Sequence, residues 1–261
     1  MEIRDFALQV LTAEDLETKL APPPLPVEAL TDDSPGRPFR AAGPGRPPEL
    51  RLQEGVKIPA IDGMADPAQR PRILHGLANH ELQAAELFAW ALLAFPGAPP
   101  PFRRGLAAIL VEEQRHTRMY RGRLEAAGSG LGDYPVHGYF WSKAGAIDSP
   151  LDFVCAMSLT FENANLDHTV DYAAAARAAG EERTAAVLDQ VHRDEVEHVR
   201  FGWRWLQLLK GAGESAWEAY ERSLTWPLRP ARAKGPRFHP EGREAAGLDP
   251  EFIRRLRESR P

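Results

Sequence analysis

The chain has 261 residues and a mass of 28.9 kDa, enough for one large domain with embellishments or for two small domains. Its formal net charge of −5 argues against extensive nucleic-acid binding, and its single cysteine excludes an intrachain disulfide, a Cys-x-x-Cys iron site and an iron–sulfur cluster held by this chain alone. No apolar run approaches the roughly 18 residues of a membrane span, and the N-terminus lacks a signal-peptide pattern, so we expect a cytoplasmic protein without a membrane partner.

The first 65 residues are expected to form an N-terminal region of short helices and an extended arm. Residues 1–20 predict short helical pieces, with Thr12 as an N-cap. One side of these pieces is apolar, formed by Ile3, Phe6, Val10 and Leu11. Between Pro22 and Pro48 there are nine prolines in 27 residues, which excludes a regular helix and predicts an arm.

Four long helices are predicted in residues 66–211. Their approximate bounds are Asp66 to Phe95, Pro101 to Gly128, Ser149 to Gly180 and Glu181 to Lys210. Asp66 before Pro67 is read as the N-cap of the first helix, and Ser149 before Pro150 as the N-cap of the third. The pattern predicts an all-α protein built on a four-helix bundle.

The segment 128–148 is the predicted long crossover between the two helix pairs. Its aromatic residues are expected to pack on the bundle: Tyr139, Phe140 and Trp141. Residues 212–261 predict a C-terminal extension with a short helix near 214–224 and a basic tail from Leu228, which has nine Arg or Lys against five Asp or Glu. The tail is expected to fold back on the bundle; a nucleic-acid contact is the weaker alternative. Two readings stay open for Trp203, Trp205 and Trp217, which could form a homodimer contact or pack a terminal segment.

The chain carries two Glu-x-x-His motifs, each about thirty residues after a lone helical glutamate. The residues are Glu81, Glu113 and His116 in the first half and Glu162, Glu195 and His198 in the second. The spacing between glutamates is 32 residues in the first half (113 − 81) and 33 in the second (195 − 162). Residues i and i+3 of a helix lie about 60° apart, so each motif presents a carboxylate and an imidazole on one face. A bundle that binds two metal ions uses this set: one Glu from each of two helices and Glu-x-x-His from each of the others.

The surroundings of these carboxylates favour a metal site over solvated charges on amphipathic helices. Both lone glutamates lie in strongly apolar stretches. Buried carboxylates are costly unless they are paired or bound to metal. The predicted apolar lining of a substrate pocket consists of Phe88, Leu92, Phe153, Met157 and Phe161.

Further acidic residues repeat at matching positions. Glu86 and Asp167 lie five residues after the lone glutamates, about 140° away around the helix, and ion pairing with Arg115 or Arg200 is favoured over metal ligation unless a π-bulge brings them closer. The remaining histidines considered are not at ligand spacing and are read as surface or structural groups: His75, His80, His137, His168 and His192. Of these, His137 is the one that the crossover could carry over the site.

The motifs resemble the ferritin-like superfamily of di-iron and di-manganese carboxylate proteins, and most closely an uncharacterised bacterial branch of it, a domain-of-unknown-function family. A more distant similarity is to tRNA-modifying di-iron hydroxylases. The segments that carry the resemblance are 80–87 (HELQAAEL), 112–116 (EEQRH), 132–137 (GDYPVH), 162–167 (ENANLD), 193–199 (RDEVEHV) and 243–248 (REAAGL). The resemblance implies a ferritin-like bundle with one long crossover, but it carries over no reaction.

The resemblance also implies roles for the metal ligands. Glu81 and Glu162 would each bind one ion, and His116 and His198 would each cap one ion through a single ring nitrogen. The two glutamates of the Glu-x-x-His motifs, Glu113 and Glu195, would bridge the ions.

In the same resemblance, the acidic residue before each motif glutamate would accept a hydrogen bond from a ligand histidine. Asp194 would accept a hydrogen bond from His116, and Glu112 would accept one from His198.

Four carboxylates and two imidazoles suit iron, manganese or a mixed pair better than zinc, with iron preferred. The leading functional hypothesis is an oxidase or monooxygenase that uses O₂ or peroxide, a small organic substrate and an external electron donor. The second is ferroxidase or peroxide-detoxifying iron handling. The third is a metal-stabilised bundle that serves as a binding module.

Overall fold

The computed structural model describes residues 1–225 and 227–260, which are mainly helical, as the sequence predicts. Trp226 and Pro261 of the predicted C-terminal extension lie outside the described residues. The chain divides into two compact units, unit 1 (Met1–Gly145) and unit 2 (Ala146–Pro261), and the division falls within the predicted crossover. Among the described residues, no helix is long and apolar enough to cross a bilayer.

Unit 1 is built on a pair of long helices. Its helices are α1 (Ile3–Thr12), α2 (Leu16–Leu20), α3 (Arg70–Ala94), α4 (Pro100–Ala126) and α5 (Trp141–Ala144). Single 3₁₀ turns lie at Val27–Ala29, Pro48–Leu50 and Ile61–Ala65, and the two-residue strands are β1 (Leu52–Gln53) and β2 (Val136–His137). The short connection from α3 to α4 makes these helices neighbours that pack along their length.

The N-terminal helices follow the predicted apolar pattern but not the predicted cap. The apolar side of α1 is fully buried at Ile3, Phe6, Val10 and Leu11. Thr12 is the last residue of α1 rather than an N-cap, because its hydroxyl donates back to the Leu8 carbonyl. Asp15 caps α2 instead, and its carboxylate accepts from the Thr18 amide at 2.8 Å.

The proline-rich arm packs against α3 and α4. The Phe39 amide donates to the Leu93 carbonyl on α3, and Arg103 on α4 donates to Asp32 at 2.8 Å. Farther along, β1 pairs in parallel with β2. The arm is therefore joined to both helices of the pair and to the crossover segment.

The helix α3 begins at Arg70, four residues after the predicted cap. Asp66 accepts from the Ala68 amide and caps a preceding turn instead. Proline lacks an amide hydrogen and fits only in the first turn of a helix, so Pro71 requires α3 to begin immediately before it.

Unit 2 contains the second pair of long helical segments. Its elements are α6 (Pro150–Ala156), a π-helical segment (Met157–Glu162), α7 (Asn163–Ala178), α8 (Glu182–Leu209), α9 (Ala216–Ser223), a 3₁₀ turn (Pro230–Ala233), α10 (Pro240–Ala245) and α11 (Pro250–Glu258). Ser149 is the N-cap of α6, as predicted, and its hydroxyl accepts from the Asp152 amide. From Pro150 to Ala178 the helical run is continuous, and α7 packs along α8.

The C-terminal segment folds back on α7 and α8. Arg243 on α10 binds Asp167 on α7, and Phe252 on α11 lies 5.0 Å from the ring of Trp203 and 5.3 Å from that of Trp217. Of the two readings of these tryptophans, packing of a terminal segment is the one that these contacts support.

Candidate metal centre

Unit 1 brings together the first three predicted ligands. Glu81 extends from α3, and Glu113 and His116 extend from neighbouring turns of α4. The Nδ1 atom of His116 lies 3.5 Å from Glu81 Oε2 and 3.6 Å from Glu113 Oε2. All three side chains are buried, with at most 3 % of any residue exposed.

Unit 2 brings together the other three. Glu162 is the last residue of the π-helical segment, and Glu195 and His198 extend from α8. The Nδ1 atom of His198 lies 3.8 Å from Glu162 Oε1 and 3.5 Å from Glu195 Oε2. These residues are also buried, none more than 4 % exposed.

Each group has the donor set and the dimensions of a metal site. Within each unit, one ligand atom from each of the three side chains lies within 4.8 Å of the other two. If an ion binds its ligands at about 2.2 Å, neighbouring ligand atoms stand about 3.1 to 3.6 Å apart in octahedral or tetrahedral coordination. The observed separations of 3.5–3.8 Å are longer than ordinary hydrogen bonds; three of the four already lie in this range, and the separation of 3.8 Å needs only a small contraction to reach it. The two buried Glu/His groups could therefore hold metal ions.

The π-helical segment that ends at Glu162 is stabilised by side chains. In a π-helix the backbone hydrogen bonds shift by one residue, and this wider turn is frequent at functional sites. The Thr160 hydroxyl donates to the Cys155 carbonyl, while the carbonyl of Leu159 accepts from Asn163 Nδ2 and from the hydroxyl of Tyr220. The Tyr220 hydroxyl also lies 2.8 Å from Thr160 Oγ1, and burial raises the pKa of Tyr220 so that it stays protonated.

Close packing of α8 supports the same segment. A β-carbon at Gly202 would stand 2.3 Å from the Ser158 Cβ atom, a distance that real contacts do not reach. Only glycine at position 202 allows α8 to approach the π-helical segment this closely.

Sequence reasoning missed Asn165 as a residue of the site. Its Nδ2 atom donates to Glu195 Oε1 at 2.7 Å. The available signal was its position: Asn165 comes three residues after Glu162 and therefore lies on the same side of the helical run.

The acidic residues five positions after Glu81 and Glu162 form buried ion pairs. Both oxygens of Glu86 accept from Arg46, and the Lys19 ammonium lies 3.3 Å from Glu86 Oε1. Burial lowers the pKa of Lys19, although the nearby carboxylate opposes this shift. Asp167 accepts from both terminal nitrogens of Arg243, at 2.7 and 3.0 Å. Ion pairing was the favoured prediction, but these partners replace the predicted Arg115 and Arg200.

The two acidic residues directly before the motif glutamates are half-buried. Asp194 accepts from Gln190 Nε2 at 3.0 and 3.1 Å. The predicted bonds of Asp194 with His116 and of Glu112 with His198 stay predictions.

Three of the other histidines have partners that account for them structurally. His75 Nε2 accepts from the Gly132 amide at 2.9 Å, and burial lowers the pKa of His75 to about 4. His80 and His137 face each other with 3.3 Å between their Nε2 atoms. Burial also lowers the pKa of His137.

The remaining two histidines lie on α7 and α8. His192 Nδ1 lies 2.9 Å from the Thr169 hydroxyl, and burial lowers the pKa of His168.

The crossover aromatics pack on α3, as predicted. The ring of Phe140 stacks on His80 at 5.3 Å, and Trp141 Nε1 donates to Glu86. The five predicted pocket residues are all buried, and the most exposed of them is Phe161 at 8 %. Their role as a substrate lining stays a prediction.

Comparison with known proteins assigns the chain to a family. No curated protein and no solved structure matches it significantly. Residues 9–254 match a family described as protein of unknown function, DUF455, and this match includes both Glu/His groups and the segments that flank them. The chain belongs to the DUF455 family.

Proposed function

We propose that the two Glu/His groups act together as one dinuclear metal centre, and that the protein is an iron or manganese/iron oxidoreductase that activates O₂. It would act as an oxidase or monooxygenase on a small organic substrate. An external donor would supply electrons. Iron is the preferred metal, with manganese or a mixed pair as the alternatives.

One observation carries this proposal. Each unit contains a buried group of two glutamates and one histidine, in which the histidine Nδ1 atom faces the carboxylates. The residues of the second group follow those of the first by 81 or 82 positions. The ligand-like separations within each group and the cost of burying carboxylates without a cation support metal binding. Because both units contain the same donor set, we propose that each group binds one metal ion.

The donor set limits which ions fit. Carboxylate oxygens and imidazole nitrogens suit iron and manganese, whereas structural zinc sites in proteins favour thiolates and a closed tetrahedral shell. A bound pair of redox-active ions supplies the two electrons that reduce O₂ to a reactive oxidant.

The chain itself supplies a dry, shaped environment. All six carboxylate and imidazole side chains are at most 4 % exposed, so bulk water is kept from the groups and their charges act at low dielectric. Apolar neighbours reinforce this exclusion: Phe88 and Leu92 are fully buried on α3, and Phe153 is fully buried on α6.

The first test is the metal content of the protein purified from unsupplemented cells, measured by mass spectrometry. We expect about two iron or manganese ions per chain. Glu113→Ala and Glu195→Ala should each lose metal. The matched controls are Glu125→Ala on α4 and Glu197→Ala on α8, which change exposed glutamates of the same helices. Retention of full metal by both ligand variants would contradict the proposal.

The second test separates the proposed reaction from other metal-dependent roles. The metal-loaded protein is reduced without oxygen and then exposed to O₂ with candidate substrates. Substrate-dependent O₂ consumption that Glu113→Ala abolishes and Glu125→Ala retains is the expected result. Oxygen or peroxide consumption coupled only to Fe(II) oxidation would instead support iron handling. Tight metal binding without O₂ reactivity would indicate a binding module.

A further inference from the structure

We infer that unit 1 carries a separate ligand site, a cleft that binds the phosphate group of a small molecule. The cleft lies between the segment 56–58, the first turns of α3 and the segment 134–137 of the crossover. Its volume is about 330 Å³, with the open mouth included. None of the six candidate metal ligands lines this cleft, so the inference goes beyond the proposed function and does not depend on it.

The cleft is built by contacts that α3 makes on two sides. A β-carbon at Gly76 would stand 2.5 Å from Ile58 Cδ1, so glycine at position 76 lets the Ile58 side chain pack directly on the backbone of α3. On the other side, Asn79 Nδ2 donates to the His137 carbonyl at 3.0 Å and joins α3 to the crossover. Both walls are therefore in place before a ligand binds.

Four hydrogen-bond donors of the lining are uncommitted. They are the Lys57 ammonium, the Arg72 guanidinium, the Tyr134 hydroxyl and one ring nitrogen of His75. In the part of the chain that the structure describes, none of these four groups has an ion-pair or hydrogen-bond partner, and the lining contains no aspartate or glutamate. A lining rich in donors and cations indicates an anionic ligand.

His75 supplies the donor that points most directly to a ligand, because its side chain is buried, with 1 % of the residue exposed. Its Nε2 atom accepts from the Gly132 amide, and burial lowers its pKa to about 4, so near pH 7 the ring is neutral and carries its hydrogen on Nδ1. A buried N–H group without an acceptor costs free energy. An oxygen atom of a ligand in the cleft would supply that acceptor.

This donor set suits phosphate. Guanidinium and ammonium groups are common partners of phosphate oxygens, and two cations offset the charge of about −1.5 to −2 that a phosphate monoester carries at pH 7. The carboxylate of Asp133 lies outside the lining and accepts from the Ser129 hydroxyl at 2.9 Å. The net charge of −5 repels anions in general, so binding here would depend on the local donors.

The experiment is a calorimetric titration of the full-length protein with inorganic phosphate at constant ionic strength, with thermal melting of the same samples. We expect saturable binding and a rise in melting temperature, because a ligand that binds only the folded chain stabilises it. Absence of saturable binding would overturn the inference. Tighter binding of the dicarboxylate succinate than of phosphate would also overturn it.

Variants of the lining test the donors directly. Arg72→Ala should weaken phosphate binding by about 10- to 100-fold, because a hydrogen bond between charged groups is lost. Tyr134→Phe keeps the ring against His75 and removes only the hydroxyl, so it should weaken binding by about 3- to 10-fold. The matched control is Arg37→Ala, which removes the same charge from an exposed arginine outside the cleft and should change the affinity by less than about twofold. Equal losses in Arg72→Ala and Arg37→Ala would overturn the inference.

Glu113→Ala separates the cleft from the candidate metal centre. This variant, and wild type treated with a chelator, should bind phosphate as the untreated wild type does. Loss of phosphate binding in both would place the phosphate at the metal centre and overturn the inference. Metal content is measured in the same samples, and Arg72→Ala should keep the wild-type content. The proposed function and the phosphate site can therefore fail independently of each other.

Discussion

Unit 1 and unit 2 each contain a buried carboxylate that needs a counter-charge, and the counter-charge comes from a different part of the chain in each unit. Each places a fully buried carboxylate five residues after a candidate ligand, Glu86 in unit 1 and Asp167 in unit 2. In each unit an arginine from a flanking segment donates to this carboxylate through two of its nitrogens. Arg46 comes from the N-terminal arm and Arg243 from the C-terminal extension.

The two solutions differ in redundancy. Glu86 is also close to the Lys19 ammonium and accepts from the Trp141 indole, whereas the other hydrogen bonds of Asp167 in the described part of the chain come from the backbone amides of Gly235 and His239. Removing the arginine would leave the Lys19 ammonium 3.3 Å from Glu86, whereas the hydrogen-bond donors that would remain at Asp167 in the described structure are the backbone amides of Gly235 and His239. The comparison teaches that the repeated feature is the buried carboxylate, while its counter-charge can come from any segment that covers it.

The largest expected effect follows from that difference. Arg243→Met should lower the free energy of unfolding by about 3–5 kcal/mol, because Asp167 would remain buried without the cation that binds both of its oxygens. Arg46→Met should cost less, about 1.5–3 kcal/mol, because Lys19 stays beside Glu86. Urea unfolding measures both values. A larger loss in Arg46→Met than in Arg243→Met would break the comparison.

His75 in unit 1 should make the protein sensitive to acid, as the other histidines whose pKa burial lowers also should. The pKa of His75 is lowered from 6.5 to about 4 by burial, and its Nε2 accepts a hydrogen bond only when the ring is neutral. Between pH 6.5 and about 4 the unfolded chain binds a proton that the folded chain does not, so the free energy of unfolding falls as the pH falls, by at most about 3 kcal/mol. The offset of 81 places Ala156 at the corresponding position of unit 2, which cannot titrate.

The control for this prediction is His75→Gln, whose side chain oxygen can accept from Gly132 without titrating. The difference between wild type and His75→Gln, measured by urea unfolding from pH 7 to pH 4, should shrink as the pH falls. A difference that is constant over this range would contradict the assignment.

A smaller effect is expected at the π-helical segment, for which α3 has no counterpart. Tyr220→Phe removes the hydroxyl that donates to the Leu159 carbonyl and lies beside the Thr160 hydroxyl, and should lower the free energy of unfolding by about 1–2 kcal/mol. The control is Tyr172→Phe on α7, a half-buried tyrosine. Amide hydrogen exchange should quicken around Met157–Glu162 in Tyr220→Phe alone. Equal exchange in both variants would sink the idea that Tyr220 stabilises the segment.

Most of the helical architecture was predictable from local signals. The four long helical segments lie within a few residues of the predicted bounds, since Pro, Gly and cap residues mark helix ends chemically. The six candidate ligands were identifiable because spacing along a helix determines which side chains share a face. The grouping of three in each unit follows that reasoning.

The remaining features depend on distant residues. The π-helical segment contacts the hydroxyl of Tyr220, 60 residues after Thr160, and the sequence of Met157–Glu162 alone does not indicate a π-helix. The arginine partners of Glu86 and Asp167 are 40 and 76 residues away, so the local sequence did not indicate them, and Arg115 or Arg200 was predicted instead. The spacing of Asn165 from Glu162 predicts that the two residues share one side of the helix. The contact of its amide with Glu195 depends on tertiary packing, which the spacing does not predict.

The order of the ion-pair partners also has a consequence for protein synthesis. Arg46 leaves the ribosome 40 residues before Glu86, so unit 1 has its arginine ready when the carboxylate appears. Arg243 follows Asp167 by 76 residues, which at about 5–20 residues per second is a delay of roughly 4–15 s. During that interval burial of Asp167 would be uncompensated, so the helix that carries Asn165 completes its docking only after α10 has been translated.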